Sequence, residues 1–252
     1  MIHLHTQSAY SLLHSPIRIE KLVQKAASLN KRCVALTDHN VLFGVPAFLR
    51  ACKQYQLKPI IGMDTEIEFE DVELGLVLLA KTNRGLQGLY ALSTLRSTRK
   101  LTIDDLRSYR EDVIVMTSGI DDGIQKALEN EEEVKLIHYL KALKDASEIF
   151  YVSIAMNDSE YRAKLNIMLK DMANRLGIQT CALSRILYLE PEEVNDLKLL
   201  RAIDKQKPIT DPSLDVAYQR FFRDDEQMKQ LYTREDLEMS EQIAAQCHLE
   251  EP

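Results

Sequence analysis

Short apolar runs alternate along this chain with stretches whose apolar positions recur every three to four residues. Runs of four to seven residues rich in Val, Ile and Leu predict strands at 2–5, 33–37, 59–62, 74–80, 112–117, 149–154 and 179–183. Most are apolar almost continuously, as in a parallel sheet covered on both faces. Residues 64–69 alternate acidic and apolar positions and read as a separate, half-exposed strand. Helices fill the gaps. Ser15-Pro16 reads as an N-cap and a helix-starting proline, with Ile19, Leu22, Val23 and Ala26 then on one face. Further helices are expected at 44–55, 102–109, 131–144 and 159–176, the last closed by Gly177 at its C′ position. Seven strands interleaved with helices predict either a barrel or a doubly wound sheet.

The pattern changes near residue 190. Pro191 opens a polar helix running to about Lys205, and Pro208-Ile209-Thr210-Asp211-Pro212 breaks it. Two short helices, at 224–232 and 234–247, complete a tail without strand signal. The division expected is therefore a domain at 1–190 and a helical appendage at 191–252. A chain that stops at Glu251-Pro252, just after a helix, reads as a piece of something longer.

The chain has 252 residues, 45% of them hydrophobic and 28% charged, which is globular composition. No apolar run approaches the roughly 18 residues of a membrane span. No basic-then-apolar leader is present at the N-terminus, and the four scattered cysteines form no CxxC pair, as expected of buried thiols in a reducing cytoplasm. A net charge of −7 argues against a broad nucleic-acid-binding face on this chain. The small basic clusters, Arg96-Arg99-Lys100 and Arg18 to Arg32, read as solvated helix faces.

Candidate chemistry lies at the N-terminus. Four of the six histidines fall within the first 39 residues: His3, His5, His14 and His39. His3 and His5 are two apart on a predicted strand and so share a face. His14 follows in a loop, and Asp38-His39 lies just past the second strand. Imidazoles and carboxylates gathered at strand ends are the material of Zn, Mn or Fe sites. Ligands from the ends of successive strands meet only where the strands close around one mouth, which favours the barrel.

These residues also carry a resemblance. His3-x-His5, Leu12-Leu13-His14, Thr37-Asp38-His39-Asn40, Lys58-Pro59-Ile60-Ile61-Gly62 and Leu76-Val77-Leu78-Leu79-Ala80-Lys81 occur in that order. So do the turn at Asp112–Gly119, the exit at Tyr188-Leu189-Glu190-Pro191 and the tail to Cys247. Together they resemble the polymerase and histidinol phosphatase (PHP) domain at the N-terminus of bacterial DNA polymerase III alpha subunits, over nearly the whole chain. The resemblance implies a distorted seven-stranded (β/α) barrel whose mouth, in fully liganded relatives, holds a three-metal phosphoesterase centre. It places His3, His5, His14, His39 and Asp64 at ligand positions, Asp64 standing where a Glu is usual. Asp38 and Glu66 would support them. Four ligand positions are lost: Gly75 replaces a His, Gly119 a Cys or His, and Arg185 and Leu187 an Asp-x-His pair.

The expected cofactor is accordingly none, or one divalent metal (Zn, Mn or Fe) at a partial site, and the mouth is expected to be inactive. Arg185 is expected to supply a fixed positive charge to a carboxylate such as Asp64 or Asp38. The function expected is that of a mainly structural PHP module in DNA replication. Its parent polymerase would use Mg ions and contact DNA in a core absent here, and the partners would be the rest of the polymerase chain and replisome or proofreading proteins, with no membrane. The alternatives are a metal-dependent phosphoesterase still active at the histidines (a proofreading 3′-5′ exonuclease or a pyrophosphatase), and a silent module that recruits another replication protein.

Overall fold

The computed structural model describes residues 1–119, 122–215 and 219–249; the end of the expected tail, Glu251-Pro252 included, lies outside them. In chain order the elements are β1 (His5–Thr6), α1 (Ile19–Ser28), β2 (Cys33–His39), α2 (Val45–Gln54), β3 (Lys58–Phe69), β4 (Val72–Ala80), α3 (Asn83–Arg96), β5 (Leu101–Thr102), α4 (Ile103–Arg107) and β6 (Val113–Thr117). There follow α5 (Gly123–Glu129), α6 (Glu133–Ala146), β7 (Phe150–Ile154), α7 (Glu160–Arg175), β8 (Gln179–Ala182), β9 (Arg185–Ile186), α8 (Val194–Lys205), α9 (Asp225–Leu231) and α10 (Arg234–Gln246).

The main sheet runs β2-β3-β4-β6-β7-β8, with β5 added beside β3, while β1 and β9 form a separate parallel pair. The sheet is curled and mixed. Strand β4 is antiparallel to both β3 and β6, and the other ladders are parallel. This departs from the parallel sheet expected from the apolar runs. It follows from a tight hairpin: Glu70 and Asp71 both adopt positive φ, 49° and 62°, between β3 and β4. The two predicted strands at 59–62 and 64–69 are one twelve-residue strand. The β1–β9 pair stands by the first strand of the sheet through Thr37, whose hydroxyl accepts from the Thr6 amide (2.9 Å) and reaches the Thr6 carbonyl (3.2 Å).

Strand alternation divides the core in two. Inward residues Ile2, Leu4, Ala35, Ile60, Val77, Leu79, Ile114, Met116, Tyr151 and Cys181 fill the barrel. The intervening residues, such as Val34, Leu36, Met63, Leu76, Leu78 and Val152, pack outward against the helices. The tail belongs to this interior. Ile243, Ala244 and Cys247 of α10 and its end join the inner cluster, and Lys58 Nζ donates to the Ala244 carbonyl at 2.9 Å. The chain's first residue is held by the same helices: the Met1 amine meets Glu241 at 2.7 Å and Asp225 at 3.3 Å, and Lys31 pairs with Asp225.

Helix α1 starts at Ile19, later than expected after Ser15. The Ser15 hydroxyl instead lies between the carbonyls of Gln7 (2.8 Å) and Leu187 (2.9 Å), tying the β1 and β9 segments together. Ser159 does cap α7, accepting from the Arg162 amide, and Gly177 follows that helix with φ +63°.

Candidate functional site

Two register pairs build the mouth. On the parallel β1–β9 ladder His5 stands opposite Arg185, and on the parallel β2–β3 ladder His39 stands opposite Asp64. The four side chains converge. The His5 ring lies 3.5 Å and the His39 Nδ1 3.1 Å from the Asp64 carboxylate, and an Arg185 Nη lies 3.5 Å from it. Gln7 Nε2 donates to Asp64 at 2.7 Å, and Gln7 Oε1 accepts from Arg185 at 3.3 Å. Burial opposes the charge on Asp64, yet the surrounding histidines and Arg185 hold its carboxyl below the usual range. Glu66, two residues along, lies 3.8 Å from both His39 and Arg96.

Of the other expected ligands, His3 does not join this group and His14 meets it through the His39 ring. His3 is turned to the backbone: its Nε2 donates to the Arg223 carbonyl at 2.8 Å and its ring packs edge-on against Phe222. Burial pushes it down to about 4, so it is a neutral ring in a dry setting. His14 stacks on His39 with centroids 4.7 Å apart. Asp38 accepts from the Ser8 amide (2.6 Å) and from the hydroxyls of Ser8 and Ser11. It is a hub for the loop that carries His14, and Ser11 Oγ in turn accepts from the His39 amide. Among the described residues no group of three or more His, Cys, Asp and Glu side chains is arranged to hold a metal ion.

The positions expected to have lost a ligand differ from one another. A Cβ on Gly75 would lie 2.3 Å from Ser118 Oγ and 3.0 Å from Asp122 Oδ2, so other side chains occupy that space. Gly119 has φ +70° with nothing within 4 Å of such a Cβ, and it opens onto a cavity of about 100 Å³ lined also by Ser118, Ser153, Ser184, Arg185 and Arg220. Leu187 is buried in a small cluster with Tyr188, Leu197 and Phe221.

Sequence reasoning passed over Asp122. It caps α5 through the Gln125 amide (2.8 Å) and accepts from the Gly75 amide (3.0 Å) and the Ser118 hydroxyl (3.3 Å). Burial lifts its carboxyl to about 6. Because the folded value is raised, its contribution to stability is fully present below the unfolded value and is lost as pH rises through about 6. Asp122→Asn abolishes that titration. Between pH 4 and pH 7 the stability difference should therefore move in the variant's favour by about 2–3 kcal/mol, since a tenfold change in proton affinity corresponds to roughly 1.4 kcal/mol. Urea denaturation at the two pH values measures it; any constant cost of losing the Gly75 acceptor cancels.

A curled mixed sheet wrapped by helices, with histidines and a carboxylate at its mouth, defines a class. Residues 3–159 match the PHP domain family, and the chain belongs to it. More particularly, it is 31% identical over 99% of its length to a DNA polymerase III subunit alpha of Halalkalibacterium halodurans. It is 29% identical over 99% to that of Bacillus subtilis. It spans about a quarter of the length of these relatives, 23% in each case. An amidohydrolase from Chromobacterium violaceum shares the fold, with a TM-score of 0.57 and 11% identity over 74% of this chain and 87% of that one. Among the described residues no helix is long and apolar enough to cross a membrane.

Proposed function

We propose that this chain is the N-terminal PHP module of a bacterial replicative DNA polymerase III alpha subunit, working in the cytoplasm in DNA replication, and that its barrel mouth is degenerate. The observation that carries the first part is the reach of the relatedness. It runs past the end of the family match at residue 159 and through 99% of the chain, so it takes in α10, the helix that packs into the barrel's interior. The module would brace the remainder of the polymerase chain. Nucleotide transfer with Mg ions, and contact with DNA, would belong to that remainder.

The second part rests on the donor set. A metal bound at this mouth would supply activated water and a clamp on phosphoryl oxygens. A catalytic ion takes about three protein ligands. His5, His39 and Asp64 are near one another, but Asp64 already meets Gln7, His39 and Arg185, and His3 is committed to a backbone carbonyl. The residues present do not fit a multi-metal phosphoesterase centre. One observation favours the rival reading of a surviving phosphoesterase: both ring nitrogens of buried His5 lack a hydrogen-bond partner.

Assays of the purified chain on p-nitrophenyl phosphate, pyrophosphate and a single-stranded DNA 3′ end, with Mn or Zn added, decide between them. No turnover above that of His5→Ala supports the degenerate mouth. Metal-dependent turnover lost in both His5→Ala and Asp64→Asn establishes the rival. Primer extension with Mg by the full-length protein tests the polymerase assignment separately.

A further inference from the structure

We propose that Arg185 is a built-in cation: its guanidinium does the electrostatic work of a divalent ion at this mouth, and removing it turns His5, His39 and Asp64 into a divalent-metal site. The inference rests on the degenerate reading of the mouth and adds what replaced the metal.

Three observations carry it. Asp64 is 5% exposed, and a buried carboxylate stays charged only with a counter-charge and hydrogen bonds at hand. Arg185 brings a full positive charge to it, at 3.5 Å, with Gln7 bridging the two. Its placement is fixed by the backbone, since the β1–β9 register sets Arg185 directly opposite His5 and delivers the guanidinium at the level of the imidazoles. Finally, both nitrogens of His5 and the Nε of Arg185 are buried without a partner. The His5 ring, 1% exposed, meets the Asp64 carboxylate at 3.5 Å, longer than a good hydrogen bond.

The charges at the mouth then balance without metal. Asp64 faces Arg185 and Glu66 faces Arg96. A divalent ion placed on Asp64 would meet a guanidinium a few ångströms away, and this repulsion opposes binding in the native chain. With the guanidinium gone, the same carboxylate becomes an uncompensated buried charge beside two imidazoles, which is the donor set of a Zn-type ion. The mouth thus has two ways to neutralise Asp64, and the strand-end residue selects between them.

The test uses the 252-residue chain with Arg185→Gln, which drops the charge but keeps the polarity, and Arg185→Asp. Zinc binding is followed by calorimetry and by melting temperature with zinc and with chelator. Native protein should melt alike in both. Each variant should bind zinc at least tenfold more tightly than native protein and melt several degrees higher with zinc than with chelator. Adding His5→Ala to the Gln variant should remove that response, which separates this site from surface histidines. A Gln variant indifferent to zinc, or one that fails to fold with or without it, overturns the proposal; so does a zinc response that survives His5→Ala. A native protein that itself binds zinc at His5 tightly overturns the degenerate reading beneath it, a result the variants alone would not produce.

Discussion

Ile243→Asp should leave the chain without a cooperative unfolding transition. Ile243 has no exposed surface and sits among Leu4, Ile60, Leu79 and Met116 inside the barrel, although it comes from the last helix. Truncation to Ala would cost about 2–5 kcal/mol from lost burial and the cavity left behind. A carboxylate there must either stay buried without a partner or expel α10 and open the barrel's base. Either cost is comparable with the ~5–15 kcal/mol that holds a domain folded. The control is Ile203→Asp on α8, where the side chain is 57% exposed and the same change should be nearly silent. Circular dichroism melts of both variants check the contrast. Equal stability of the two would mean that α10 is a detachable tail.

The second large effect is expected at Asp38. Asp38→Ala removes the acceptor of the Ser8 amide and of two hydroxyls, all in a region that water does not reach. Each donor left unsatisfied costs on the order of 1–3 kcal/mol, so a loss of about 3 kcal/mol or more is expected. The damage should be local as well as global. The loop from Ser8 to His14 holds Leu13 at φ 63°, a conformation that a branched side chain keeps only when its surroundings impose it. Amide exchange in that loop should therefore accelerate more than exchange in β7 or β8. Uniform loss of protection across the barrel would argue that Asp38 acts on the whole fold alone.

Much of this architecture is legible in the sequence, and the gaps have physical causes. The apolar runs locate most of the strands within a residue or two because an inward and an outward face are both buried. They carry no strand direction, and the hairpin that reverses β4 turns on Glu70-Asp71 instead of the Asn-Gly pair that would announce it. Helix α3 goes unread because Gly85 and Gly88 look like breakers. In the fold they permit close packing: a Cβ on Gly85 would meet the Asp112 carbonyl at 2.0 Å, and one on Gly88 the Tyr109 ring at 2.5 Å. The tail's helices are predicted, but helical periodicity names a face and not its partner. That α10 fills the barrel is therefore visible only in three dimensions.

The mouth divides the same way. His5, His39, Asp64 and Arg185 are singled out by the sequence, and the structure brings them together through two ladder registers. The diversion of His3 is not foreseeable, because its partner, the Arg223 carbonyl, lies 220 residues away along the chain. At Gly75, where the resemblance expects a lost histidine, the space is already taken. Ser118 and Asp122 fill it, so a histidine placed there would first have to displace them.

The charges of this mouth are, on this account, balanced by protein groups instead of metal. The most direct test is elemental analysis of the native chain purified without chelator and dialysed against buffer containing traces of Zn, Mn and Fe. The account predicts each metal far below one equivalent in a well-folded protein. One equivalent or more of any of them, lost on His5→Ala, would contradict it.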